Sequence, residues 1–181
     1  MSDAGIYLLD SVMLTHEVIQ SRVMEIAAMI RSDYIGKEVV LTGVLKGAAI
    51  FMSDLARSIG QDVNVIMDFI AVSSYGDSST TSGVVKIVKD MDIFAQDKNI
   101  ILVEDIVDTG LTLAYLREIF TARCPKSYKT CVLLEKPDRK TVDSVLDYKG
   151  FTIPDKFVVG YGLDYAGKWR HLPDIWCVKT G

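Results

Sequence analysis

Apolar residues recur at Val18, Ile19, Val23, Ile26, Ala27 and Ile30, the spacing of one helical face, and they predict an α-helix over residues 15–31. Thr15 suits the N-cap, and Leu14 with Ile19 can form a hydrophobic staple around it. The pattern then becomes a continuous apolar run. Glu-Val-Val-Leu-Thr-Gly-Val-Leu at 38–45 reads as a buried strand, Lys46-Gly47 as a turn, and Ala48 to Ile59 as a helix stopped by Gly60. Val63 to Val72, rich in Val, Ile and Phe, predicts another strand. Residues 73–83 are almost all small and polar, and they cannot bury much apolar surface. Strand character returns at Val84 to Val88, Ile100 to Val103, Lys129 to Glu135 and Phe157 to Tyr161, with a helix at Leu111 to Phe120. Strands and helices thus alternate from residue 38 to 135. That order predicts an α/β fold with a mostly parallel central sheet and helices on both faces.

At 181 residues the pattern fits one domain around one core, with no internal repeat or linker. A net charge of -4 argues against a nucleic-acid surface. No apolar run is long enough to span a bilayer, and residues 1–14 lack a basic segment followed by an apolar one. The expectation is a cytoplasmic protein without a membrane or nucleic-acid partner. Cys124, Cys131 and Cys177 are odd in number and widely spaced, so they read as reduced thiols. With only His16 and His171 present, histidine-based metal or triad chemistry has little to work with.

The chemistry concentrates where the strand at Ile100 meets the helix at Leu111. Glu104, Asp105 and Asp108 crowd there with no Lys or Arg among them, an arrangement that opposes its own ionisation. Asp108-Thr109-Gly110-Leu111-Thr112 can wrap backbone amides around an anion. Gly110 allows close approach, the threonines add hydroxyls, and the next helix presents its positive end. Amides suited to a phosphate beside carboxylates that repel one require a ligand carrying a phosphate together with hydroxyl donors or metal ions. A ribose 5-phosphate meets both demands.

Residues 101–112, Ile-Leu-Val-Glu-Asp-Ile-Val-Asp-Thr-Gly-Leu-Thr, resemble the phosphoribosyl-pyrophosphate motif of type I phosphoribosyltransferases. Leu45-Lys46-Gly47-Ala48, Ser73-Ser74-Tyr75-Gly76, Leu134-Glu135-Lys136-Pro137 and the stretch from Phe157 to Tyr165 narrow the resemblance to the bacterial-type hypoxanthine (hypoxanthine-guanine) enzymes. The resemblance implies Mg²⁺-dependent transfer of a phosphoribosyl group to a 6-oxopurine, from residues of one domain. It implies a mobile lid at 73–83 and a small hood built from the N-terminal segment and roughly residues 150–181. Asp108 would be the general acid/base at purine N7, with Ile106 beside it in the motif. Glu104 and Asp105 would face the ribose diol, while Thr109, Gly110, Leu111 and Thr112 hold the 5-phosphate. Lys46 and Gly47, joined to Leu45 through a cis peptide, would hold pyrophosphate together with Arg170, and Ser74 and Tyr75 would close over it. Lys136 would read the purine O6, Phe157 would stack on the base, and Val158 would offer backbone contacts. Glu104, Asp105 and Asp164 would be the Mg²⁺ ligands. The family also implies a homodimer or homotetramer.

Other readings of the same residues fare worse. Val-Asp-Thr-Gly at 107–110 spells an aspartic-protease triplet, but no second Asp-Thr-Gly or Asp-Ser-Gly occurs. The acidic strand end suits a P-loop NTPase, yet the Gly-rich Lys-Ser/Thr loop is missing. A pyrimidine-operon RNA-binding regulator would share the fold and the acidic motif; it needs a basic surface and has no use for Lys136 with Phe157. An adenine-preferring relative conflicts with Lys136, whereas hypoxanthine, guanine and xanthine are not ranked.

Overall fold

The computed structural model describes residues 8–74 and 85–179. In chain order the elements are β1 Leu8–Leu14, α1 His16–Tyr34, β2 Glu38–Leu45, α2 Ala49–Ile59, β3 Asn64–Ser74 and β4 Val85–Lys89. There follow β5 Asn99–Val107, α3 Leu111–Ala122, β6 Ser127–Glu135, a 3₁₀ turn Pro137–Arg139, β7 Tyr148–Thr152, β8 Val158–Val159 and β9 Ile175–Lys179. Six strands form one sheet in the order β4-β3-β2-β5-β6-β7, parallel throughout except for β4 on the edge. Three more, β1-β9-β8, make a small antiparallel sheet beside it.

The apolar runs explain the layering. β2 and β5 lie in the middle of the sheet, and their aliphatic residues are buried on both faces. Ile19, Val23, Ile26 and Ile30 of α1 join Phe51, Met52 and Leu55 of α2 in a core on one face, with Val39, Leu41, Ile101 and Val103 beneath them. On the other face Leu113, Leu116 and Phe120 of α3 cover Val40, Ile100, Leu102 and Val132. Thr15 caps α1 as expected, its hydroxyl accepting from the Val18 amide at 3.5 Å.

Three sequence expectations need correcting. The strand assigned to Ile100–Val103 runs on to Val107, because Ile106 and Val107 keep their register with Leu134 and Glu135 of β6. The acidic pair Glu104-Asp105 therefore lies on the strand, and only Asp108 lies past it. The strand expected at Phe157–Tyr161 shrinks to Val158–Val159, since Gly160 and Tyr161 turn away with φ 97° and 48°. Of the expected lid, residues 73 and 74 belong to β3, and 75–84 lie outside the described residues.

The chain leaves the centre of the sheet in two directions, from β2 to β3 on one side and from β5 through β6 to β7 on the other. Ligands bind at such a switch point, beyond the carboxyl ends of the strands. Both Lys46-Gly47 and Glu104 to Asp108 sit there.

Candidate active site

β2 ends in a cis peptide between Leu45 and Lys46. Lys46 is exposed and Gly47 buried. A Cβ on Gly47 would collide with the Asp105 carboxylate, and one on Gly162 would collide with the Gly47 carbonyl. Three stretches distant in sequence therefore close on one point: the β2 turn, the β5 carboxylates and the loop after β8.

On β5 the carboxyls of Glu104 and Asp105 lie side by side, and each acts on the other's ionisation. Burial, then the neighbouring Asp105 charge, raises the Glu104 pKa well above 4.5. Burial likewise pushes Asp105 up to about 6, against the opposing pull of Arg170. Glu104 Oε2 is buried with no hydrogen-bond partner. In the free protein, then, Glu104 holds a proton that its unfolded form would have released above about pH 4.5. Native Glu104 is penalised progressively as pH rises from there through its folded pKa. We expect the melting temperature of Glu104→Gln relative to the parent to rise as pH increases above about 4.5. Parallel stability–pH curves for the two proteins would contradict this reading.

After Val107 the chain turns through Asp108 and Thr109. The Thr109 carbonyl is fixed by amides of Thr141 and Val142 at 3.0 and 3.2 Å. Gly110, at φ 85°, starts α3 in the left-handed region, where a side chain would also meet the Val142 carbonyl. Thr109 Oγ1 lies 3.4 Å from the Leu111 amide. No side chain caps the helix at Gly110, and no acidic residue occupies its first turn. The start of α3 at Leu111 and Thr112 thus carries the positive end of the helix with no acidic side chain in its first turn.

A cavity of about 450 Å³ opens beside this turn, within the usual size for a small-molecule site. Asp108, Lys136, Phe157 and Val158 line it, Asp105 and Asp164 border it, and Ile106 adds an apolar patch. Lys136 is only 8% exposed, and its amide donates to the Val107 carbonyl at 2.9 Å, which ties the end of β6 to the end of β5. Phe157 is 43% exposed and meets Tyr165 edge-on, with centroids 5.6 Å apart; Val158 is buried in β8. Asp164 is occupied on both oxygens, by the Arg170 guanidinium at 2.5 Å and the Gly167 amide at 2.6 Å. Arg170 also donates to the Gly162 carbonyl at 2.5 Å. Among the described residues no group of three His, Cys, Asp or Glu side chains is arranged to hold a cation, so Asp164 does not join Glu104 and Asp105 here. Ser74 closes β3, and Tyr75 lies outside the described residues.

Sequence reasoning missed three residues that shape this cavity. Arg139, three positions after Lys136, places Nε 3.0 Å from Asp108 Oδ1. Asp155, two before Phe157, lies 3.5 Å from Lys136 Nζ. Leu163 adds an apolar wall. The spacing Lys136-x-x-Arg139 was the one available signal for Arg139, because side chains three apart on a 3₁₀ turn eclipse.

A family model described as "Phosphoribosyl transferase domain" matches residues 13–166. The hypoxanthine-guanine phosphoribosyltransferase of Bacillus subtilis is 47% identical over 94% of each chain. The hypoxanthine phosphoribosyltransferase of Escherichia coli K12 is 45% identical over 91% of this chain and 92% of its own. Among solved structures, a hypoxanthine-guanine phosphoribosyltransferase from Bacillus anthracis superposes with a TM-score of 0.87 at 45% identity, covering 96% of this chain and 99% of the other. A hypoxanthine phosphoribosyltransferase from Staphylococcus aureus reaches 0.89 at 43% identity, covering 94% of this chain and 92% of that one.

Proposed function

The chain belongs to the hypoxanthine (hypoxanthine-guanine) phosphoribosyltransferases of the type I family, and from that premise we propose how its site carries out the reaction. The enzyme transfers the 5-phosphoribosyl group from 5-phosphoribosyl 1-pyrophosphate to N9 of hypoxanthine, guanine or both, giving the nucleoside 5′-monophosphate and pyrophosphate. The observation that carries this reading is the convergence of Asp108, Lys136 and Phe157 on one cavity bordered by Asp105 and Asp164.

Amides from Thr109 to Thr112 receive the 5-phosphate, where the helix end offers positive charge and its first turn carries no acidic residue. Glu104 and Asp105 accept hydrogen bonds from the ribose hydroxyls. Phe157 stacks on the purine, Ile106 offers an apolar surface, and Val158 provides main-chain contacts. Lys136 donates to O6, and an ammonium there favours a 6-oxo over a 6-amino purine. As N9 bonds to the sugar C1 and the C1–O bond to pyrophosphate breaks, Asp108 takes the proton that leaves N7. The Lys46-Gly47 backbone and the Arg170 guanidinium hold the departing pyrophosphate, under a cover supplied by Ser74 and Tyr75.

Glu104 and Asp105 suit a hard divalent cation. They form a desolvated carboxylate pair with an orphaned oxygen, and Mg²⁺ binds through one or two carboxylates plus waters and phosphate oxygens. Glu104 and Asp105, with Asp164 as a further candidate, would hold Mg²⁺, which when bound would supply charge neutralisation for the leaving group. The family reading also carries a homodimer or homotetramer working in the cytoplasm.

An ultraviolet assay with each purine base, the pyrophosphorylated sugar and Mg²⁺, repeated with chelator, tests the proposal. Turnover of a 6-oxopurine that stops on chelation supports it, and turnover of none refutes it. Lys136→Ala is expected to reduce the preference for hypoxanthine over adenine by about 10-fold or more. An unaltered preference would contradict the O6 assignment.

A further inference from the structure

We infer that Arg139 and Asp155 are positioning residues of the base cavity: along an alternating chain of ion pairs, Asp155 sets the Lys136 ammonium and Arg139 sets the Asp108 carboxylate. The inference rests on the reading of this cavity as a 6-oxopurine site. It gives a task to two lining groups that the reaction so far leaves idle.

Lys136 and Arg139 flank one 3₁₀ turn, in which the Arg139 amide donates to the Lys136 carbonyl at 3.2 Å. Lys136 caps the turn and Arg139 ends it, and both cations come to the same carboxylate, that of Asp155. Alone they would repel and splay. Asp155, from the loop between β7 and β8, lies between them, with Oδ1 3.5 Å from Lys136 Nζ and Oδ2 3.8 Å from Arg139 Nη1. Arg139 then reaches on through Nε to Asp108 Oδ1 at 3.0 Å. Signs alternate along Lys136, Asp155, Arg139 and Asp108, and each end of the chain is a group that meets the purine.

The exposure of the four side chains argues against a role in holding the fold. Those of Asp108, Asp155 and Arg139 are 44–50% exposed, and ion pairs so open to water add little stability. Only Lys136 is shielded, its side chain 10% exposed. What the chain does supply is direction. A lysine carries its charge on four rotatable bonds, and a planar guanidinium fixes the groups it grips. Arg139 engages a single oxygen of Asp108, which leaves Oδ2 available for the proton from N7. Both purine-facing groups are thereby aimed before substrate arrives, the condition under which such contacts accelerate a reaction.

The test compares Arg139→Gln, Arg139→Lys and Asp155→Asn with the parent, using hypoxanthine, adenine and the pyrophosphorylated sugar, together with melting temperatures. Arg139→Gln is expected to lower kcat by about 10- to 100-fold while KM for the sugar stays at the parental value. Arg139→Lys should recover part of that loss, since it restores the cation. Asp155→Asn should cut the hypoxanthine-over-adenine ratio by about 10-fold, with the melting temperature unchanged. Parental kcat in Arg139→Gln with a parental ratio in Asp155→Asn would overturn the inference. So would losses that come with a lower melting temperature and a raised sugar KM, which would mark a structural role. A parent enzyme that turns over no 6-oxopurine would overturn the reading of the cavity itself, and this inference with it.

Discussion

Asp108→Ala is expected to lower turnover by about 10²–10⁴-fold, the usual contribution of a positioned general acid/base. The loss should fall on kcat more than on substrate binding. Asp108 lies past the end of β5, outside the β-ladder, and among the described residues its ion pair is the half-exposed contact with Arg139, so removing the side chain leaves the core intact. The amides from Thr109 to Thr112, proposed to hold the 5-phosphate, also remain. Steady-state kinetics with each substrate varied in turn separate the two effects. Unchanged kcat in the variant would exclude Asp108 from proton transfer.

The second large effect comes from a single methyl group. Gly47→Ala places a Cβ against the Asp105 carboxylate, while the Gly47 carbonyl is already in close contact with Gly162. Nothing nearby yields easily: Asp105 lies beside Glu104, and the Gly162 carbonyl is bound by Arg170. Either the β2 turn or the carboxylate must move. Displacements of this size at a substrate-positioning loop cost about 10²-fold, so kcat/KM for the pyrophosphorylated sugar should fall by that order. Overpacking should also destabilise the fold by about 1–3 kcal/mol. The KM for the purine base should change least, because the cavity wall at Phe157 and Lys136 is untouched. Parental sugar kinetics in Gly47→Ala would mean that the contact between the β2 turn and Asp105 has no part in binding.

What the sequence revealed, and what it hid, follows from where each signal resides. α1, β2, α2 and β3 were legible because their apolar periodicity is local and their caps, Thr15 and Gly60, sit at the ends. β5 was cut short because Glu104 and Asp105 interrupt its apolar run, although backbone pairing with β6 continues beneath them. β1, β7 and β9 went unread. β1 contains Asp10 and Ser11, β7 contains Lys149 and Gly150, and β9 pairs with residues more than 160 positions away in sequence. Motif resemblance picked out Asp108, Lys136 and Phe157, which the fold brings to one cavity. Arg139 and Asp155 carry no such mark, since their meaning lies in ion pairs that exist only after folding. Tyr161 is similar: the sequence placed it at the end of a strand, and only the fold shows its hydroxyl donating to Asp54 of α2 at 2.6 Å.

The small sheet has a consequence for how the enzyme is finished. β9 is its middle strand, paired with β1 on one side and with β8 on the other. Until Ile175–Lys179 is laid down, neither neighbour has a partner in that sheet, and Val158 lacks its ladder contact with Cys177. A chain that stops short of β9 can therefore complete the six-stranded sheet and the turn from Asp108 to Gly110 while the strand that follows Phe157 still lacks its ladder. On the proposed reading such a fragment would keep its grip on the sugar donor and lose the purine, a split that binding measurements on a chain cut before Ile175 would check.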